Sequence, residues 1–250
     1  MIKKKYGQHF LTNKNICKKI VQQLTFKGYE NLLEIGPGKG ALTEFLPLEK
    51  TTLIEIDEYC VNYIINKFPE FEKYIINKDF LNLNNSFFYK KKVGIIGNFP
   101  YNISSQIIFK ILENKESIIE VVGMFQKEVA ERICSNEGNK KYGIISILTQ
   151  AYYNTEYLFE VNNDQFYPKP KVQSAVIKLQ KKEKINFKFE EKKLRIIVKK
   201  SFNQRRKKIK NSLSGINFNL EKENNIFEKR PEQLSVQDFI FLSKKIKNEI

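Results

Sequence analysis

The sequence predicts an α/β chain, a largely parallel sheet covered by helices, followed by a small, basic, helical domain. Three observations predict it. Short apolar, β-branched runs alternate with helical patterns as far as about Gln180, the pattern of repeated strand–helix–strand units. A glycine-rich turn, Glu34-Ile35-Gly36-Pro37-Gly38-Lys39-Gly40, follows one such run, and a carboxylate, Glu55, ends the next. Beyond Gln180 the composition shifts, and residues 181–250 carry roughly +11 of the +16 formal net charge.

The elements follow in order. An amphipathic helix is expected over Asn13–Leu24. Strands are expected at Asn31–Ile35, Thr51–Ile56, Tyr74–Asn77, Val93–Gly97 and Ile118–Phe125. Helices near Ala41–Leu46, Glu58–Lys67 and Ser104–Leu112 connect them, the last with Ser104 and Ser105 as sources of an N-cap oxygen. Helices near Glu128–Cys134 and Gly143–Ala151 precede strands Tyr157–Val161 and Ser174–Gln180, which suit an antiparallel edge hairpin. Lys192–Phe202, Arg206–Leu213 and Val236–Ile246 read as helices of the second domain. The expected division is residues 1–182 and 183–250, with the boundary within Lys181–Lys184.

At 250 residues, 41% hydrophobic and 29% charged, the chain can build one full core and a small second lobe. A net charge of +16 attracts polyanions, nucleic acid above all. Lys outnumbers Arg roughly eight to one, a bias that AT-rich coding also produces. Cys17, Cys60 and Cys134 lie far apart, so neither a zinc site nor a disulfide framework is expected, and no metal is implied. Free thiols suit a reducing cytosol. The basic start, Met1-Ile2-Lys3-Lys4-Lys5, runs into Tyr6-Gly7-Gln8-His9 rather than an apolar stretch, unlike a signal peptide. No apolar run approaches the ~20 residues that span a bilayer. The expectation is a cytoplasmic monomer with no membrane partner.

The chemistry sits at strand ends. Gly36 and Gly38 let the backbone turn sharply and approach a ligand closely. Glu55 stands at the spacing of a carboxylate that grips two ribose hydroxyls, with Asp57 as a second candidate. The turn alone does not separate a nicotinamide cofactor from S-adenosylmethionine. The third strand ends at Asn77-Lys78-Asp79-Phe80, where Asp79 could accept from an adenine amino group with Phe80 beside the ring.

The fourth strand ends at Gly97-Asn98-Phe99-Pro100-Tyr101-Asn102-Ile103-Ser104. The exocyclic amine of adenine is a poor nucleophile because its lone pair is delocalised into the ring. Two acceptors on its hydrogens shift it toward tetrahedral geometry. The Asn98 side-chain oxygen and the Phe99 carbonyl can supply them, Pro100 stiffens the turn, and Tyr101 offers a face for an extruded base, worth ~1–3 kcal/mol.

Asn98-Phe99-Pro100-Tyr101 resembles the signature of amino-directed nucleic-acid methyltransferases. Five further stretches resemble the ribosomal RNA adenine dimethyltransferases of the bacterial small-subunit type. They are Tyr6–Leu11, Glu34–Gly40, Gln126–Arg132, Phe166–Val172 and Phe202–Lys207. The resemblance implies a Rossmann-like S-adenosylmethionine-dependent methyltransferase domain with a small helical C-terminal domain. It implies that His9, Leu11, Gly36, Glu55, Asp79 and Asn98 line the pocket of S-adenosyl-L-methionine. It also implies two successive methylations on each of two neighbouring adenosines near the 3′ end of small-subunit (16S) rRNA, on the RNA or an immature small ribosomal subunit. It places Phe166 opposite Tyr101, sandwiching the flipped base. Members often carry Asn where this chain has His9; a general-base role for His9 is not needed, since the amine sheds its proton readily once methylated.

Arg205, Arg206, Lys207 and Lys208 open a helix in the expected basic domain and suit phosphate contact, which positions RNA without reading bases. Three rival readings remain at this point. A large-subunit rRNA adenine methyltransferase of the macrolide-resistance type would share the cofactor motifs. A small-subunit assembly factor with little catalysis would share the charge. A nicotinamide oxidoreductase explains neither Asn98–Tyr101 nor the basic C-terminus.

Overall fold

A computed structural model describes residues 7–183, 190–219 and 225–247. Tyr6 of the first motif and Lys184 of the expected boundary lie outside the described residues.

In chain order the elements are β1 (Phe10–Leu11), α1 (Lys14–Val21), β2 (Asn31–Ile35), β3 (Thr51–Glu55), α2 (Glu58–Lys67), β4 (Ile75–Asn77), β5 (Val93–Asn98), α3 (Ser104–Glu113), β6 (Ile118–Gln126), α4 (Lys127–Cys134), α5 (Ile144–Gln150), β7 (Tyr153–Val161), β8 (Phe166–Tyr167), β9 (Ser174–Lys181), α6 (Glu191–Asn203), α7 (Ile209–Ser212) and α8 (Val236–Lys244). The chain divides into two compact units. One comprises residues 1–130 and 154–181, the other residues 131–153 and 182–250. The second is therefore built from two stretches of sequence, where the sequence reading expected one continuous domain from residue 183.

The first unit holds a seven-stranded sheet in the order β4-β3-β2-β5-β6-β9-β7. β4, β3, β2, β5 and β6 are mutually parallel, and β9 runs antiparallel to β6. β9 enters between β6 and β7. From β2 the chain winds outward through β3 and β4, then returns to place β5 on the other side of β2. That reversal opens a crevice at the carboxyl ends of the strands. Five of the six residues of β5 are buried, as a strand covered on both faces requires. On one face Leu32, Ile96, Val122, Met124 and Val176 pack with Cys17 and Ile20 of α1. Asn13 caps α1, its side chain accepting from the N–H groups of Asn15 and Ile16. Toward the β4 edge, Leu53, Ile64 of α2 and Phe71 form a smaller core.

Two local expectations fail. The helix expected near Ala41–Leu46 is a single 3-10 turn, Thr43–Phe45. The buried Thr43 hydroxyl donates to the buried Glu34 carboxylate at 2.7 Å, tying this turn to β2. The N-cap of α3 is Ile103, with no side-chain cap; Ser104 instead donates to the Tyr101 carbonyl at 3.2 Å.

In the second unit α6 packs with α5 and α8, its Leu194, Ile197 and Val198 fully buried. The Phe202 ring lies 6.2 Å from Tyr142 and 6.0 Å from Phe239.

Candidate active site

The ends of β2, β3, β4 and β5, with the segment that forms β1, enclose a cavity of about 210 Å³. It is lined by His9, Leu11, Gly36, Gly38, Glu55, Asp79, Phe80, Asn98, Phe99 and Tyr101, so one surface gathers residues up to 92 positions apart in sequence.

The turn after β2 takes its shape from glycine. Gly36, Gly38 and Gly40 all have positive φ, at 65°, 57° and 75°, a region costly to residues with a Cβ. A Cβ on Gly36 would meet nothing within 4 Å, whereas one on Gly38 would lie 2.8 Å from the Phe10 ring. The Gly36 turn thus leaves open the space that a ligand needs for close backbone approach.

Glu55, at the end of β3, is 5% exposed, and burial raises its pKa. Its two oxygens accept from the backbone N–H groups of Gly38 at 3.0 Å and Asp57 at 2.9 Å. Each oxygen keeps a lone pair for a further donor, which is what a vicinal diol presents. Asp57, the second candidate, is fully buried, caps α2 through Tyr59 N–H and accepts from the Gln8 amide at 2.9 Å. It does not line the cavity. Asp79 accepts from Leu81 N–H at 2.9 Å and the Asn82 amide at 3.0 Å. Phe80 beside it is buried edge-on to Phe88.

The turn after β5 is shaped by side chains. The Phe99 ring is fully buried and stands 4.9 Å from Phe125. It fills the slots left by two glycines, since a Cβ on Gly97 or Gly123 would come within 2.6 Å or 2.3 Å of it. Only the main chain of Phe99 is left for the cavity. The Asn98 amide nitrogen donates to the His9 carbonyl at 2.8 Å, which orients the amide. Its Oδ1 has no hydrogen-bond partner among the described residues. The His9 ring stacks on Tyr101, centroids 5.4 Å apart and planes 27° apart, and its Nδ1 bonds the Pro168 carbonyl at 2.7 Å. That bond makes Nδ1 the protonated nitrogen. The Tyr101 hydroxyl in turn bonds Ser174 Oγ at 2.5 Å.

The family model described as ribosomal RNA adenine dimethylase matches residues 1–246. The chain belongs to the ribosomal RNA adenine dimethylase family. It is similar to the ribosomal RNA small subunit methyltransferase A of Flavobacterium johnsoniae, 51% identical over 98% of this chain and 95% of that protein. The protein of the same name from Cytophaga hutchinsonii is 47% identical over 96% and 95%. A crystal structure of a dimethyladenosine transferase from Plasmodium falciparum superposes with a TM-score of 0.79 at 28% identity, over 94% and 96% of the two chains. The 23S rRNA methyltransferase ErmE superposes with a TM-score of 0.68 over 94% and 100%, at 21% identity, a likeness of fold alone.

In this dimethylase two further expected site features have the following surroundings. Phe166 pairs with Leu11 across β8 and β1 and is 4% exposed in the core with Ile20 and Met124. It is not among the residues that line the cavity. Leu11 and Phe166 stand opposite one another on β1 and β8, and both are buried. The Arg205–Lys208 cluster does not open a helix either, but lies on the turn between α6 and α7 in the second unit. There Arg205 pairs with Glu232 at 3.7 Å, and Lys208 with Lys210 clasps Glu228, whose pKa falls to about 2. Arg206 and Lys207 are exposed, with no ion pair among the described residues.

The sequence reading also passed over Gln8, Lys39 and Ile56 as individual contributors. Gln8 lines the cavity and ties its rim to Asp57. Lys39 reaches over the Phe10 ring at 5.2 Å. Ile56 lines the cavity while 43% exposed, an apolar wall beside Glu55. Ile56 could have been found as the apolar residue directly after the predicted ribose carboxylate.

Proposed function

We propose that this protein transfers methyl groups from S-adenosyl-L-methionine to the 6-amino groups of two adjacent adenosines near the 3′ end of small-subunit rRNA, giving dimethyladenosines during ribosome biogenesis. One observation carries the reading: Asn98 is held by the His9 carbonyl through its nitrogen, leaving Oδ1 as an acceptor at the cavity.

The cavity residues suit the cofactor. Gly36 leaves space where any side chain would intrude, Glu55 offers a fixed carboxylate for the ribose diol, and Asp79 with Phe80 and Ile56 suits an aminated aromatic ring. Leu11, Gly38 and His9 complete the walls. S-adenosylmethionine supplies an electrophilic methyl group on a positively charged sulfur.

The protein's own part is alignment and electrostatics. Asn98 Oδ1 and the Phe99 carbonyl accept from the two N–H bonds of the target amine, localising its lone pair. Tyr101, backed by the His9 ring and anchored by Ser174, supplies the face against which the extruded base rests. A monomethylated amine has one N–H left, so the second round proceeds with one of the two acceptors idle. The His9 ring, oriented by the bond from Nδ1 to the Pro168 carbonyl, backs Tyr101, and the amine, which sheds its proton readily once methylated, needs no base from it.

We propose the second unit, with Arg206 and Lys207 exposed, as the phosphate-holding part of a two-domain enzyme, and the cytoplasm as its place of action. Among the described residues no helix is long and apolar enough to cross a membrane. The relatives at 44–51% identity are named for the small subunit, so the large-subunit reading is not favoured.

The test offers radiolabelled S-adenosylmethionine with unmodified small subunits, unmodified large-subunit RNA and unrelated duplex DNA, followed by digestion to nucleosides. Label in dimethyladenosine from small subunits alone is expected. Label in large-subunit RNA, or none anywhere despite cofactor binding, overturns the proposal.

A further inference from the structure

The segment after β8, residues 168–173, was identified as a motif in the sequence, yet the catalytic reading uses none of its outward side chains. Its backbone is pinned repeatedly. The Pro168 carbonyl accepts from His9 at 2.7 Å, the Pro170 carbonyl from the Asn163 amide at 3.2 Å, and the Gln173 carbonyl from Lys127 N–H at 2.9 Å. Ser174, which ends it, is fully buried and bonded to Tyr101. Burial alternates with exposure: Phe166 and Pro170 are buried, while Tyr167, Lys169, Lys171 and Val172 are exposed. The segment is a fixed rail that presents one aromatic ring, two cations and one apolar side chain outward.

Its position relates it to the cavity. Tyr167 is directly opposite Phe10 across the β1–β8 ladder, and opposed residues share a face. Phe10 lines the cavity. The next residue, Pro168, holds His9, which backs Tyr101. Tyr167 is 65% exposed, so its ring is free to meet a ligand beside the cavity. Lys169 and Lys171 have no ion pair among the described residues, although Lys127 nearby is paired with Glu160.

We propose that Tyr167, with Lys169 and Lys171, forms a subsite for the unpaired RNA strand next to the target adenosine. The Tyr167 ring stacks on a flanking base and the two lysines hold its phosphates. This deepens the proposed function and rests on that reading. An aromatic face between cations is the general solution for single-stranded nucleic acid, because every base has a stacking face and every nucleotide a charge. The subsite also answers a mechanical need. An adenosine can be held out of its helix only if its neighbours are prevented from drawing it back, and a second ring outside the cavity does that.

The experiment compares the full-length protein with Tyr167→Ala, Tyr167→Phe and the double variant Lys169→Ala/Lys171→Ala. Methyl transfer to unmodified small subunits is measured, with cofactor affinity by calorimetry and melting temperature as controls. Tyr167→Ala is expected to raise KM for the particle at least ~10-fold, with more of the loss in KM than in kcat. Cofactor affinity and melting temperature stay at the wild-type values, and Tyr167→Phe recovers most of the loss because the ring, not the hydroxyl, stacks. The lysine pair is expected to weaken binding and flatten its salt dependence by about two charges. In parallel, a single-stranded oligoadenylate RNA with one 2-aminopurine is titrated with each protein. Wild type and Tyr167→Phe quench it, and Tyr167→Ala does not. An unchanged KM and equal quenching in Tyr167→Ala overturn the subsite, as does a loss confined to cofactor affinity. If the wild-type protein methylates no small subunit, the proposed function fails instead, and the quenching titration still decides the subsite.

Discussion

The turns after β2 and β5 stand at the carboxyl ends of neighbouring strands, yet they hold their shapes by opposite means. The first is set by backbone: three glycines at positive φ, with open space at Gly36. The second is set by packing: a buried Phe99 ring wedged over Gly97 and Gly123, and an Asn98 amide tied to His9. The difference teaches how the two halves of the site divide the work. A turn that must let a ligand approach gives up side chains, while a turn that must aim two acceptors needs a rigid anchor behind them. Damage to each half should therefore read out differently.

The largest effect is expected at the aimed half. Asn98→Ala should cut methyl transfer at least ~100-fold, about 2.7 kcal/mol of transition-state stabilisation, with the melting temperature unchanged. Near-normal transfer would remove Asn98 from its role. Next, Gly123→Ala should push the Phe99 wedge, costing ~1–3 kcal/mol of stability as over-packing does, and lower transfer through misaligned acceptors. A variant as stable and active as wild type would show that the wedge does not set the turn. Gly36→Ala should cost about 1–2 kcal/mol through its backbone conformation and weaken cofactor binding in calorimetry, while RNA affinity is preserved. If RNA affinity falls instead, the two halves are not separable.

The smallest effect on transfer is expected at Glu34, beneath the glycine turn. Burial pushes its carboxyl up to about 8 from 4.5, so at neutral pH it is held largely protonated. The folded state then binds a proton that the unfolded chain has released. The contribution of this group to stability is fully present below about 4.5, declines as pH rises, and is lost above about 8. Glu34→Gln keeps a partner for Thr43 and should flatten the melting temperature between those pH values. A slope identical to wild type would assign the proton elsewhere.

The strands were legible because their residues are apolar on both faces: Asn31–Ile35 was placed to the residue, and Val93–Gly97 missed only Asn98. The Gly36 and Asn98 turns were legible because glycine and proline carry backbone meaning in their chemistry. What failed depended on partners far along the chain. The Thr43–Phe45 turn answers to the buried Glu34, not to helix propensity. The place of Phe166 opposite Tyr101 came from the resemblance alone, and its pairing with the buried Leu11 could not be read from the residues around it. Its neighbour Tyr167 carries the exposed ring instead. The discontinuous second unit could not be read from composition, since residues 131–153 are not conspicuously basic.

The sheet order has a consequence for synthesis. β9 enters between β6 and β7 only after residues 131–153 have gone to the other unit. During translation the Asn98 turn leaves the ribosome well ahead of Ser174, its Tyr101 anchor, and of Pro168, which holds His9. The base-binding half of the site therefore closes late, when the chain has emerged past about residue 181 and the last antiparallel strand can dock. A nascent chain stopped before that point has its glycine turn complete and its Tyr101 face unanchored.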